Sequence, residues 1–153
     1  MIKILIICVI GIIAITINNV KKKKLTDSGE IKQRSNHFMR QEHVFNTNIK
    51  SFKELYDALD LTPIHSRNIQ MAHLENDNGI QFYCKKMKTE FTAYLIYADN
   101  GEVTFFINET RNEINPLDPN VILTAIEKAV FELDENATIK RELIDYDHKT
   151  GLF

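Results

Sequence analysis

The sequence predicts an α+β domain, a four-stranded antiparallel meander with flanking helices, preceded by one N-terminal transmembrane helix. Three observations carry this reading. The turn signal Asp-Asn-Gly occurs twice, at Asp77-Asn78-Gly79 and Asp99-Asn100-Gly101, each time between runs of alternating apolar residues. A stripe of apolar residues at helical spacing follows the second hairpin. The first twenty residues are almost wholly apolar and are followed by four lysines. With 153 residues, 44% apolar and 26% charged, the chain has room for one globular domain and does not fit collagen, coiled-coil, low-complexity or disulfide-scaffold composition.

Ile4 to Ile17 reads ILIICVIGIIAITI, without a charge. Extended to Val20 as a helix it is roughly 25 Å long, short for a bilayer core of about 30 Å. A cleaved signal peptide would need small residues ahead of the cut, and Thr16-Ile17-Asn18-Asn19-Val20 has no such pattern. A buried amphipathic helix would need polar residues every three or four positions, and none occur. The segment therefore reads as an uncleaved anchor. Lys3 precedes it, whereas Lys21, Lys22, Lys23, Lys24, Lys32, Arg34 and Arg40 follow it, so the positive-inside rule places the following domain in the cytoplasm. Residues 1–24 form the anchor with its basic flank. Residues 25–48, mixed in charge and without a sustained period, read as a juxtamembrane linker.

The globular domain is assigned to residues 49–147, with 148–153 as a tail. It opens on Ser51-Phe52-Lys53-Glu54, a capping box followed by Leu55, Ala58 and Leu59 on one face, which predicts a short helix ending before Pro63. Three-residue loops at the two Asp-Asn-Gly signals and a four-residue loop at Met87-Lys88-Thr89-Glu90 set one register. In that register Leu74, Phe82, Leu95 and Phe105 form one core row, and Ala72, Cys84, Ala93 and Ile107 another. Asp118-Pro119 then supplies an N-cap and first helical residue for Val121, Ile122, Ala125, Ile126, Ala129, Val130 and Leu133. Thr138 to Tyr146 reads as a fifth, edge strand.

The same register places His73, Tyr83, Tyr94 and Phe106 in one row across the outer face, a platform for a partner's apolar side chains or for a planar ligand. These four are the candidate partner-binding residues. Nucleic acid fits poorly. Residues 1–24 carry five lysines and no acid, whereas residues 25–153 hold 14 Lys and Arg against 21 Asp and Glu, a net charge of −7 that repels phosphate. Lys21 to Lys24 are the membrane-flanking basic residues.

No catalytic motif is present, and none of the five histidines has metal-ligand spacing, so neither a metal nor a cofactor is expected. Cys8 lies in the apolar run and Cys84 on the core-facing parity of its strand, which predicts no internal disulfide and an inert thiol. Asn108-Glu109-Thr110 and Asn136-Ala137-Thr138 match the glycosylation tripeptide, which has no use on the cytoplasmic side. The expected function is a membrane-anchored, non-enzymatic binding or adaptor domain acting through protein contact or a homodimer. The alternative is a small acidic inhibitor or immunity-type protein that neutralises a basic partner through the carboxylates of its C-terminal half. An anchored enzyme with a site between helix and sheet is a third reading.

Overall fold

The computed structural model describes residues 2–86, 89–111, 115–144 and 147–149, with the backbone alone for 2–6, 8, 9 and 147–149. The chain divides into two compact units at Gln33 and Arg34.

The first unit is a single helix, α1 (Ile2–Asp27), closed where Gly29 turns left-handed at φ 72° and Glu30 donates back to the Leu25 carbonyl. Among its described side chains, Ile7, Ile10, Ile12, Ile13, Ile15, Ile17 and Val20 are exposed. Lys21 to Lys24 continue the same helix, so charge enters before an apolar stretch of membrane length is complete. Among the described residues no helix is long and apolar enough to cross a membrane. The expected single-pass transmembrane signal-anchor is thus not supported.

The second unit is α+β. A 3-10 turn (Asn36–Arg40) leads into β1 (Gln41–Asn46), followed by α2 (Phe52–Ala58), α3 (Thr62–His65), β2 (Gln70–His73), β3 (Gly79–Lys86), β4 (Thr89–Tyr97), β5 (Glu102–Arg111), α4 (Leu117–Leu133), β6 (Thr138–Leu143) and β7 (Asp147–Lys149). The sheet runs β2-β3-β4-β5-β1-β6, antiparallel throughout, with the short β7 added parallel to β5. The expected meander β2 to β5 is present and β6 is the expected edge strand. β1 is the addition: Gln41–Asn46, assigned by sequence to the linker, lies inside the sheet between β5 and β6. Its inward residues are only His43 and Phe45, too few to announce a strand, and a histidine does not read as core.

The second hairpin keeps its predicted register. Tyr97 opposes Val103, Leu95 opposes Phe105 and Ala93 opposes Ile107, with Gly101 left-handed at φ 84°. A bulge at Asn108 then shifts Thr92 onto Glu109. The other two connections differ from expectation. At the first, Leu74 does not oppose Phe82. Its N–H reaches the Gly79 carbonyl, the loop is Glu75 to Asn78, and the left-handed residue is Asp77 at φ 49°. Gly79 is instead a strand residue, and glycine is required there because a Cβ would stand 2.4 Å from the Leu95 carbonyl oxygen. The result pairs His73 with Ile80 and Met71 with Phe82, an odd shift that turns β2 over. At the middle connection Lys86 pairs with Thr89, leaving Met87 and Lys88, which lie outside the described residues, between the strands. Cys84 then opposes Phe91, and Phe82 opposes Ala93, a shift of two that keeps each residue's face but changes its neighbour.

One face of the sheet holds the core, with Phe45, Ile80, Phe82, Cys84, Phe91, Leu95, Phe105 and Ile107 at most 1% exposed. α4 supplies Val121, Ile122, Leu123, Ile126 and Val130 to the core and packs beside α2 and α3. Ser51 caps α2 as predicted, accepting from the Glu54 N–H at 3.2 Å. α4 begins two residues earlier than expected: the Asn115 side chain accepts from the Leu117 N–H at 3.1 Å, which frees Asp118 for another role.

Candidate functional site

The outer face of the sheet is the surface the sequence singles out, and the structure brings three of its four residues together. Gln81, Tyr83, Thr92, Tyr94, Ile96, Thr104 and Phe106 alternate with core residues along β3 to β5 and are half-buried by one another. Tyr94 lies directly opposite Phe106, their rings stacked with centroids 5.6 Å apart and planes at 28°. Tyr83 opposes Thr92, so it is a diagonal neighbour of Tyr94 and not its direct partner. Gln81 takes the direct position and its amide donates to the Tyr94 hydroxyl at 3.2 Å.

His73 is not on this face. Because β2 is turned over, its ring lies on the core side against α2, 5.0 Å from the Tyr56 ring and 6.2 Å from the Phe52 ring. The expected four-residue row is therefore a cluster of Tyr83, Tyr94 and Phe106.

Beside this cluster is a small pocket, about 160 Å³, lined by Tyr83, Glu90, Phe91, Thr92, Glu109 and Arg111. The bulge at Asn108 creates it by placing Glu109 beside Thr92 on the outer face. Tyr83 donates its hydroxyl to a Glu90 carboxylate oxygen at 3.2 Å, and burial together with that bond raises the phenol's pKa. The volume falls below the roughly 300 Å³ at which pockets enclose a small molecule, and suits a single inserted side chain.

Two charged clusters on the helix side escaped the sequence reading. Arg34 reaches α4, where Nη2 lies 2.6 Å from Glu127 and Nη1 donates to Thr124 at 2.8 Å and to Asn120. Asn120, Thr124 and Glu127 share one face of α4 at helical spacing, and that polar stripe was the signal available in the sequence. Next to it His43, 1% exposed, lies between the Phe38 and Phe105 rings with Nε2 3.0 Å from the Phe38 carbonyl oxygen. Burial pushes its pKa down, against the pull of that carbonyl. The second cluster is Asp118, 1% exposed, whose two oxygens meet Arg67 at 2.8 Å and Lys86 at 2.7 Å. In both clusters each carboxylate is ion-paired with a cation of the protein itself, which makes them clamps between elements, although Arg67 Nε is buried without a hydrogen-bond partner among the described residues.

The clamps also alter the acidic surface expected of the C-terminal half. Asp118, Glu127 and Asp134 are turned inward, Asp134 accepting from the Asn48 backbone at 2.8 Å. Glu113 and Asp145 lie outside the described residues. The Cys84 thiol is buried and its pKa raised by that burial, in keeping with an inert thiol. Among the described residues no three His, Cys, Asp or Glu side chains gather as a metal site. Compared with protein-family models, curated proteins and solved structures, the chain matches none.

Proposed function

We propose that the chain is a binding module that engages a protein partner through the outer face of its sheet, held at a membrane by α1. One observation carries the first half. The ring contacts that α2 and the 3-10 turn make with the sheet, Phe52 against His73 and Phe38 against His43, fall on the core side, while Tyr83, Tyr94, Ile96 and Phe106 are only half-buried on the other face. Stacked aromatics on a half-exposed face are what a partner's apolar anchors require, and the adjoining pocket offers a slot for one side chain. The reading needs no catalytic group.

The second half rests on α1. A helix apolar on every side is stable only when those sides leave water, and Ile7, Ile10, Ile12, Ile13, Ile15, Ile17 and Val20 are exposed at half or more of their surface. Insertion of these turns into a bilayer, with Lys21 to Lys24 left among anionic headgroups, satisfies both parts of the segment. The basic flank then sets the domain on the cytoplasmic side.

The test of the binding face is the double variant Tyr83→Ser/Tyr94→Ser. Both side chains sit outside the core, so the thermal unfolding midpoint stays within a few degrees of the parent while association with the partner is lost. Unchanged association contradicts the reading. The acidic-inhibitor alternative makes a different prediction, a steep loss of binding with rising salt, and the inward turn of Asp118, Glu127 and Asp134 weighs against it.

A further inference from the structure

β6 ends the sheet, so among the described residues one of its edges has no strand beside it. Two hydrogen bonds determine which backbone groups face that edge. Ile144 donates to the Arg40 carbonyl at 3.0 Å, continuing the register in which Gln41 opposes Leu143. Thr47 donates to the Gly101 carbonyl at 3.2 Å, continuing the β1–β5 register. Antiparallel ladders alternate, so both bonds require that His43 and Phe45 bond β5 while Glu42, Val44 and Asn46 bond β6. On β6, therefore, Thr138, Lys140 and Glu142 bond β1, and Ile139, Arg141 and Leu143 turn their N–H and C=O groups to the open edge. The side chain of Leu143 is 77% exposed there, against 37% for Leu133.

We infer that β6 pairs antiparallel with β6 of a second copy, about a twofold axis through Arg141. Outward-facing residues must meet outward-facing residues, which leaves three central registers. Centring on Lys140 sets that lysine against itself and Ile139 against Arg141. Centring on Glu142 sets the carboxylate against itself and Leu143 against Arg141. Centring on Arg141 pairs Ile139 with Leu143 twice and Lys140 with Glu142 twice, leaving the arginine on the axis as the sole like-charge contact. Charge complementarity and the cover of Leu143 both select the third. Lysine on an edge strand ordinarily deters pairing. Lys140 already meets Glu142 of its own chain at 2.5 Å, and in this register the two such pairs lie side by side with each lysine also facing the other copy's carboxylate.

Such an axis stands perpendicular to the sheet, so the two six-strand paths become continuous and both Tyr94–Phe106 faces point to the same side. The dimer does not depend on the binding reading above, but it would make that face bivalent.

The test is the mass of the full chain in mild detergent, by sedimentation with the detergent contribution subtracted. The parent sediments as two chains. Arg141→Pro removes an outward N–H without touching the β1 ladder, and sediments as one chain with its β-sheet circular dichroism retained. Lys140→Glu weakens the dimer on the order of tenfold, and Lys140→Glu/Glu142→Lys restores it. Tyr83→Ser/Tyr94→Ser stays dimeric. A parent that is a monomer, a dimer that survives Arg141→Pro, a charge swap that fails to rescue, or a dimer lost with the tyrosines each overturns the inference.

Discussion

His43 shows how one buried side chain couples the domain's stability to pH. Burial is the largest influence and lowers its pKa, Arg141 and Arg34 lower it further, and the Phe38 carbonyl and Glu127 oppose them. Protons then bind the unfolded chain in preference, since unfolded His43 titrates near 6.5. Its contribution is complete above 6.5 and declines as pH falls below it. Asp134 acts in a separate window: the Asn48 N–H lowers its carboxyl pKa, so its contribution is lost only below about 3.8. Urea midpoints measured at about pH 7.5 and about pH 5.5 should therefore fall for the parent and fall less for His43→Gln. Equal falls would remove His43 from the account. Arg34→Ala should cost about 3–5 kcal/mol, because it strips Glu127 of its guanidinium in a site where that carboxylate is 3% exposed. Arg34→Met/Glu127→Leu should cost less than the single change, measured by denaturant unfolding. The stripe of Asn120, Thr124 and Glu127 was the one trace of this cluster in the sequence, and its partner left none, since a lone arginine in a polar segment looks solvated until the fold brings the two together.

At the scale of elements, the two Asp-Asn-Gly signals show what a local motif can and cannot settle. Both locate a hairpin. At Gly101 the glycine supplies the left-handed residue, and the register follows from the turn alone. At Gly79 the glycine answers a contact with β4, a strand ten residues further on, and Asp77 takes the left-handed position instead. Nothing within the hairpin records that contact. Gly79→Ala should accordingly cost about 1–3 kcal/mol and broaden the β2 amide resonances as the edge strand loses register. A stability equal to the parent's would mean the Leu95 carbonyl yields easily. The face of each strand from β3 to β5 was legible because period-two alternation survives a shift of two, whereas the odd shift at β2 carried His73 away from the tyrosines. β1 was illegible for a different reason. Its partners β5 and β6 lie some sixty and a hundred residues away, and its own inward pair is a histidine and a phenylalanine.

At the scale of the molecule, charge divides the chain into a basic apolar helix and an acidic domain, and the domain uses part of its acid internally. Asp118 holds Arg67 and Lys86, joining the segment after α3, the end of β3 and the start of α4. Asp118→Asn should lower stability by about 2 kcal/mol, with Arg67 the larger loss because Lys86 is a third exposed and screened by solvent. A change below a few tenths would assign both cations to solvent. For α1, alkaline carbonate extraction separates membrane insertion from adsorption: the chain should remain with the membrane pellet, and release into the supernatant would contradict insertion.

The central claim is that the outer face of the sheet is where a partner sits. Its most direct test is site-specific photocrosslinking in cells, with benzoylphenylalanine in place of Tyr94 in one chain and in place of the exposed Lys128 on α4 in another. A discrete adduct from position 94 that is absent from position 128, and that weakens when Phe106→Ser is added, is the result expected. No adduct at position 94, or the same adduct from both positions, would contradict the claim.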